Sequence, residues 1–159
     1  MVRKVFFSFH FDRDYWRVNQ VRNSVLTMEK SVFLDHADWE RVKLGGDAAI
    51  KQWINSQLDG SSVTVVLIGT ETSQREYVKY ELKKSWEEGK GILGIYIHNC
   101  KDQYGRTDTP GNLNFELNFK NQYGEGSFSQ RFKTYDWIIN DGRNNIEKWI
   151  EAGATEAGR

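Results

Sequence analysis

Three consecutive segments determine the architecture of this chain: Val63-Thr-Val-Val-Leu-Ile68, Ser73-Gln-Arg-Glu-Tyr-Val-Lys-Tyr-Glu-Leu82 and Gly89-Lys-Gly-Ile-Leu-Gly-Ile-Tyr-Ile97. The first segment is apolar on both faces, as expected of a central parallel strand. The second predicts a helix over residues 73–88, with apolar side chains at helical spacing. In the third, Gly89 ends that helix and a further strand follows. The unit predicts two parallel strands joined by a right-handed crossover.

The same alternation of strands and helices extends to both sides of this unit. The other predicted elements are a strand at 5–9, a helix at 15–26, a strand at 31–35, a helix that Asp47 caps and Gly60 ends, an edge strand within 132–138 and a last helix that Asp141 caps. Predicted loops lie at 10–14, 36–46 and 101–130. We therefore expect an α/β fold, a flavodoxin-like, doubly wound parallel sheet of about five strands with helices on both faces.

Length and composition bound the organisation. A chain of 159 residues suits one domain with an ordinary core, which we expect at 1–152, followed by a flexible tail at 153–159. The 22 basic and 22 acidic residues balance, and no basic face stands out. Neither nucleic acid nor a membrane is therefore an expected partner. Cys100 is the only cysteine, which excludes an intramolecular disulfide and favours a cytoplasmic protein.

Neither a glycine-rich motif nor the histidines of the sequence indicate a cofactor or metal site. Gly89-Lys-Gly-Ile-Leu-Gly94 matches G-x-G-x-x-G, but it follows a helix and opens a strand, whereas a dinucleotide fingerprint does the reverse. His10, His36 and His98 are scattered, and together with Cys100 they make no set at zinc spacing. We therefore expect no metal ion and no bound cofactor.

Two glutamates of the central helix compete for a chemical role. Ser73 and Glu76 have the spacing of a capping box, which explains Glu76 structurally. Glu81 has an ordinary explanation too, because it could pair with Lys84 or lie on a solvated face. Tyr77 and Glu81, however, share one face of the helix. From the residues alone, Glu81 stays open between a surface role and a functional one.

The order of the elements and two of their motifs resemble the TIR domain family. Val5-Phe-Phe-Ser-Phe9 is similar to the family's opening strand. Tyr77-Val-Lys-Tyr-Glu-Leu82 is similar to its aromatic-x-x-x-Glu element, with tyrosine in place of the commoner tryptophan. The family's Arg-Asp-x-x-Pro-Gly box is absent from 39–46. The resemblance covers 5–97 closely and extends more loosely to residue 150.

This resemblance implies a site and a substrate. In NAD-cleaving TIR domains the glutamate of the motif is the catalytic carboxylate, which implies that role, as an anion, for Glu81. Phe9, His10, Tyr77 and Ser8 are implied as substrate-binding residues. The rings of Phe9 and Tyr77 would border the nicotinamide, and His10 would contact the ribose or the phosphates. NAD is then a substrate and not a cofactor.

Within the family, Phe6-Phe-Ser-Phe-His10 and the Gly111-Asn112 loop are most similar to the bacterial TIR-like branch that includes the sensor proteins of the Thoeris anti-phage system. That likeness implies an NAD nucleosidase of antiviral defence. Its product would be ADP-ribose or a cyclic form of it, a signal that activates a partner effector. Self-association through TIR surfaces is also implied.

Two other functions remain open. A TIR-like module can act by protein–protein association without catalysis, and Glu81 would then be an ordinary surface residue. A nucleoside deoxyribosyltransferase has a related architecture and chemistry, and it would release a base from a deoxynucleoside. Chromatography of the products formed from NAD separates the NAD-cleaving enzyme from the association module.

Overall fold

A computed structural model of the protein describes residues 3–25, 31, 32 and 36–159, with the backbone alone for 31, 32 and 36–38. The described strands are β1 (Val5–Ser8), β2 (Ser31–Val32), β3 (Val63–Ile68), β4 (Gly91–Tyr96) and β5 (Thr134–Asp136). The described α-helices are α1 (Phe11–Ser24), α2 (His36–Lys43), α3 (Gly46–Leu58), α4 (Glu76–Glu87), α5 (Phe128–Arg131) and α6 (Gly142–Glu156). A 3-10 turn, Thr72–Gln74, precedes α4.

The described strands form one five-stranded parallel sheet in the order β2-β1-β3-β4-β5. In its centre, Val63 of β3 pairs with Val5 of β1 on one side and with Gly91 of β4 on the other. All six residues of β3 are buried, because strands protect both edges and other elements cover both faces. The predicted flavodoxin-like sheet is confirmed, and so is the central, parallel position of β3.

Alternate residues of each strand face opposite layers of the protein. On one face the core consists of strand residues such as Val65 and Ile95 together with α1 and α6. Each of these helices contributes apolar residues at helical spacing: Val18 and Val21 from α1, and Ile146, Trp149 and Ile150 from α6. Both helices therefore pack an apolar face against the sheet.

The opposite face is covered by α3, α4 and the segment between β4 and β5. That segment includes the predicted loop 101–130, and the only helix described within it is the short α5. Its rings Phe115, Phe119 and Phe128 are each 1% exposed. They pack in one cluster with Val66 of β3 and Leu82 of α4. The loop therefore does what a helix would do elsewhere in such a fold, because it covers the sheet with apolar side chains.

Two predicted loops contain helices. α1 begins at Phe11 and not at residue 15, so the predicted loop at 10–14 is wrong. Asp12 and Asp14 lie in the first turn of α1, where acidic side chains interact favourably with the helix dipole. α2 occupies most of the predicted loop 36–46. Residue 26 of the predicted helix and residues 33–35 of the predicted second strand lie outside the described residues.

The predicted capping box at the start of α4 is wrong. α4 begins at Glu76 and its N-cap position is Arg75, with no side-chain capping bond. Ser73 lies in the preceding 3-10 turn, and its hydroxyl donates to Asn112 Oδ1 at 2.9 Å. A contact with a distant part of the chain has therefore replaced the local one. Glu76 is left exposed on the helix surface.

Asp47 and Asp141 do not act as capping side chains. α3 begins at Gly46, which places Asp47 in its first turn. Asp141 occupies the N-cap position of α6 in the left-handed region, with φ 52° and ψ 60°, but makes no side-chain bond to the helix backbone. A capping box is present instead at the start of α5, between Ser127 and Gln130.

The predicted end of the helix at Gly89 is confirmed. The next residue, Lys90, connects the end of α4 to the end of α3. Gly89 has a φ of 70°, and its N–H donates to the Trp86 carbonyl at 3.1 Å. The next side chain, Lys90, is 6% exposed. Its ammonium group donates to the carbonyl oxygens of Leu58 and Ser61, each at 2.8 Å. Lys90 therefore stabilises the end of α3 from the turn after α4.

The last helix continues past the predicted domain end at residue 152. α6 runs to Glu156, and Gly153 and Ala154 within it are buried. The Arg159 side chain donates to the Glu88 carbonyl at 2.7 Å, which connects the end of the chain to the end of α4.

Replacing Lys90 by methionine keeps an aliphatic chain and removes the charged donor. The carbonyl groups at the end of α3 then lose a buried partner, so the free energy of unfolding should fall by about 1–3 kcal/mol. Chemical denaturation measures this. Lys83→Met, at an exposed position of α4, is the control and should stay within about 0.5 kcal/mol of the parent. A Lys90→Met protein as stable as this control would contradict the assigned role.

Candidate active site

The inner face of α4 carries a carboxyl group. The buried residues of this helix are Val78, Glu81, Leu82 and Ser85. They occupy positions i, i+3, i+4 and i+7, which form one stripe along a helix. Glu81 is 8% exposed and belongs to this stripe. The solvated surface position considered for Glu81 is therefore wrong.

The first strand supplies the partner of this carboxyl group. Ser8 is the last residue of β1, lies on the sheet face that α4 covers and is 1% exposed. Its hydroxyl donates a hydrogen bond to Glu81 Oε2. One turn further along α4, the hydroxyls of Ser85 and Thr64 share a hydrogen bond of 2.7 Å. Two polar contacts therefore fix the position of α4 on the sheet.

Glu81 faces an aromatic cavity at the carboxyl end of β1. The described lining residues are Phe6, Phe7, Phe9, Phe11, Trp39, Ile50, Trp53, Ile54, Arg75, Tyr77, Val78 and Glu81. Only Glu81 and Arg75 among them are ionisable at neutral pH. The free space inside is about 30 Å³, roughly the volume of one water molecule in the liquid. A ring the size of nicotinamide therefore fits only if rim side chains move.

The second helix closes part of this cavity through Trp39, which, like Arg75, is a lining residue that sequence reasoning missed. Trp39 is 8% exposed, and its indole N–H donates to Asp12 Oδ1 at 3.1 Å. Its ring centroid lies 5.6 Å from that of Phe11 and 6.5 Å from that of Tyr77. The i, i+3 spacing of Trp39 and Val42, which pack in the same cluster, is the sequence signal that could have identified α2.

The structure brings four of the five predicted site residues together around the cavity. Ser8 contacts Glu81, and the rings of Phe9 and Tyr77 line the same space. The Tyr77 hydroxyl donates to Asp47 Oδ1 at 3.0 Å, which holds this ring against the start of α3.

His10, the fifth predicted residue, lies just outside the lining. It occupies the N-cap position of α1. Its Nδ1 atom is buried and has no hydrogen-bond partner among the described residues. Burial and the nearby Arg75 lower the pKa of His10, against the opposing effects of Asp12 and Glu71. The ring is therefore mainly neutral at pH 7 and keeps one unused polar atom.

Burial controls the charge of the central carboxyl group. It raises the pKa of Glu81 to about 8, although the hydrogen bond from Ser8 and the positive charge of Arg75 lower it in part. The protonated form is therefore the major one at pH 7 in the closed cavity. A shift of this kind, with a specific hydrogen bond inside a cavity, is typical of functional carboxyl groups.

The turn that leads into α4 is held by the long segment after β4. The Ser73 hydroxyl donates to Asn112 Oδ1 at 2.9 Å. Gly111 packs so closely on the Gly69 carbonyl that any side chain at this position would collide with it. The start of α4, and with it the position of Glu81, therefore depends on residues 111 and 112.

Other chemistry-bearing side chains lie away from the cavity. Cys100 is buried, and burial raises the pKa of its thiol to about 12, so it is not a nucleophile. His98 Nε2 lies 3.9 Å from Asp136 Oδ2. Within the described ranges, no three or more His, Cys, Asp or Glu side chains are grouped so that they could hold a metal ion. The described helices also include none with the length and apolar character needed to cross a bilayer.

Comparison with known proteins identifies the family of this chain. Residues 6–102, which contain most of β1 and all of β3, α4 and β4, match the family model for the TIR-like domain of the Thoeris protein ThsB. The chain is 32% identical over 191 aligned positions to a Bacillus cereus (strain MSX-D12) protein named "Putative cyclic ADP-D-ribose synthase ThsB1". That alignment covers 94% of this chain and 100% of the relative. The chain therefore belongs to the ThsB family of TIR-like Thoeris proteins.

Proposed function

We propose that this protein cleaves the bond between nicotinamide and ribose in NAD, with Glu81 as the catalytic carboxylate, and releases a cyclic ADP-ribose. The observation that carries the proposal is the burial of Glu81 against Ser8 in an aromatic cavity. A carboxyl group with a raised pKa destabilises the fold at neutral pH, and a function explains why it is retained. The name of the Bacillus cereus relative describes cyclic ADP-D-ribose synthesis, which supports the same reaction.

The reaction needs an anion and not an acid. Nicotinamide is bonded to ribose as a cationic pyridinium and leaves as a neutral molecule, so no proton has to be donated to it. Positive charge develops on the ribose ring instead, as in other glycosidic cleavages. Ionised Glu81 would face this charge, with the Ser8 hydroxyl fixing the carboxylate. One preorganised electrostatic contact of this kind contributes about 3–4 kcal/mol to the barrier reduction.

The substrate itself supplies the charge that ionises Glu81. The nicotinamide ring of NAD is positively charged, and an opposite charge within about 4–6 Å favours an ionised carboxylate. NAD bound in the cavity would therefore lower the pKa of Glu81 from its value of about 8 in the free protein. The faces of aromatic rings attract cations, so Phe9 and Tyr77 would bind the nicotinamide ring beside the carboxylate.

The closed cavity favours cyclisation over hydrolysis. Its free space of about 30 Å³ holds little water before substrate binds. NAD would enter as the half-buried rim residues Trp53, Arg75 and Tyr77 move, and it would displace that water. With water excluded, an adenine nitrogen or a ribose hydroxyl of the same molecule attacks the ribosyl centre instead.

In this proposal the cyclic product is a signal in anti-phage defence. Membership in the ThsB family supports this place in the Thoeris system, with the signal activating a separate effector. The reaction would take place in the cytoplasm, which suits the buried, unpaired Cys100. Self-association through TIR-like surfaces is part of the same proposal.

Replacing Glu81 by glutamine keeps an acceptor for the Ser8 hydroxyl and removes the negative charge. We expect NAD consumption to fall a hundredfold or more, because one preorganised electrostatic contact is lost. Glu76→Gln makes the same change at an exposed position of α4 and should keep the parent rate. The measurements are nicotinamide release by the purified proteins and cyclic product in phage-infected cells. Activity of Glu81→Gln close to that of the parent would favour a non-catalytic association module.

The dependence of kcat/KM on pH reports ionisations of the free protein. Because Glu81 acts as an anion and has a pKa of about 8, kcat/KM for NAD should rise with pH and level off above about 8. Ser8→Ala removes a hydrogen bond that lowers this pKa, so its profile should move to higher pH. A parent profile that is flat from about pH 6 to about pH 9 would exclude a titrating Glu81 from the mechanism.

The raised pKa also predicts how stability depends on pH. Folded Glu81 keeps its proton up to about pH 8, whereas an ordinary glutamate loses it near pH 4.5. Between these values the folded state binds more protons, so stability falls as pH rises. Glu81→Gln should therefore be more stable than the parent at about pH 8.5, by at most about 5 kcal/mol, and lose this advantage toward about pH 5. Urea titrations at both pH values measure the difference, and an unchanged difference would contradict a buried, titrating carboxyl group.

A further inference from the structure

Arg75 is the cation among the described residues that line the cavity. Its side chain is half-buried, yet within the described part of the chain no ion pair or hydrogen bond satisfies its guanidinium group. Arg13, which is also half-buried, behaves differently, because it pairs with Glu71 at 2.6 Å and with Asp108 at 2.8 Å. A guanidinium group has five donors and no acceptor, so Arg75 presents an unused anion-binding group to the cavity.

The spacing of Arg75 and Glu81 suits the substrate. Six positions separate them, about 9 Å along the helix axis, and Tyr77 lies between them. In NAD, one ribose ring and its 5′ oxygen separate the anomeric carbon, which Glu81 would face, from the first phosphate. The flexible arginine side chain can approach that phosphate while the carboxylate stays beside the ribose.

His10 adds a second polar group beside Arg75. The two side chains are close enough for the charge of Arg75 to lower the pKa of His10. The buried Nδ1 atom of His10 has no partner among the described residues. A buried polar atom without a partner in a folded protein calls for an explanation, and a missing ligand is one.

We propose that Arg75, with His10 beside it, binds the diphosphate of the substrate and so selects the dinucleotide over smaller nicotinamide ribosides. This inference rests on the proposed function for the identity of the substrate. Arginine binds phosphate oxygens through two parallel hydrogen bonds, a geometry that lysine cannot copy. The other described lining residues are aromatic or aliphatic apart from Glu81, so Arg75 is the group in the lining that can neutralise a diphosphate.

If Arg75 acted only by lowering the pKa of Glu81, its replacement would have a different effect on activity. The positive charge of Arg75 also lowers the pKa of Glu81, so its loss would weaken cleavage of every substrate with this bond. Diphosphate binding concerns only substrates that carry phosphate. Nicotinamide riboside has the same scissile bond and no phosphate, so it separates the two roles.

Arg75→Gln and Arg75→Lys are therefore compared with the parent on NAD and on nicotinamide riboside. We expect Arg75→Gln to raise KM for NAD about tenfold or more. The higher pKa of Glu81 lowers kcat/KM for both substrates by a common factor, so kcat/KM for NAD should fall about tenfold further than kcat/KM for nicotinamide riboside. Arg75→Lys should recover part of the loss. Arg143→Gln makes the same charge change at an exposed position of α6, on the opposite face of the sheet, and should match the parent. Equal losses on both substrates, or an unchanged KM for NAD, would overturn the proposal.

Calorimetric measurement of ADP-ribose binding tests the diphosphate site independently of NAD cleavage. ADP-ribose carries the diphosphate but no nicotinamide, so it tests the site without catalysis. Binding by the parent that Arg75→Gln weakens about tenfold supports the diphosphate site even if NAD is not cleaved. No binding by the parent, or equal binding by an Arg75→Gln protein of matched melting temperature, overturns it even if NAD is cleaved.

Discussion

The burial of one carboxyl group between α4 and β1 is the constraint on which the rest of the site depends. Glu81 occupies a place in the apolar stripe of α4, and the Ser8 hydroxyl at the end of β1 satisfies it. Because burial penalises a carboxylate, the pKa of Glu81 rises to about 8 and the proton stays until an opposite charge arrives. The cationic ring of NAD is such a charge. One feature thus links the packing of a helix, the resting charge of the site and the choice of NAD as the proposed substrate.

The two ionisable groups of the cavity match the charge pattern of NAD, the proposed substrate. NAD carries its positive charge on nicotinamide and its negative charges on the diphosphate, one ribose apart. Glu81 within α4 and Arg75 at the N-cap position of this helix lie in the same order, and aromatic side chains line the cavity between and around them. Distant parts of the chain hold this arrangement, since Trp39 of α2 closes the cavity and Asn112 fixes the turn before α4. Substitutions at Trp39 or Asn112 would therefore change the position or the surroundings of the Glu81 carboxyl group.

The spacing of apolar residues was the basis of most sequence predictions that the structure confirms. Tertiary contacts explain the predictions that were wrong. The central strand Val63–Ile68 was predictable because every position is buried. Ser73 has the sequence of a helix cap, but its hydroxyl bonds Asn112, which no local pattern reveals. The eight-residue α2 offers too few apolar positions for a clear period, so Trp39 looked like a loop residue. Periodicity did place Glu81 beside Val78 and Leu82, but a glutamate on a helix is read as solvated unless its stripe is examined as a whole.

A crystal structure of the Glu81→Gln protein with NAD bound gives the most direct view of the proposed chemistry. We expect the amide oxygen of the new side chain about 3–3.5 Å from the anomeric carbon of the nicotinamide ribose, the separation of reacting groups in a near-attack geometry. The nicotinamide ring should lie against Phe9 and Tyr77, and the Ser8 hydroxyl should still donate to the side chain at position 81. NAD bound with its nicotinamide ribose outside this cavity would contradict the assignment of Glu81 as the catalytic carboxylate.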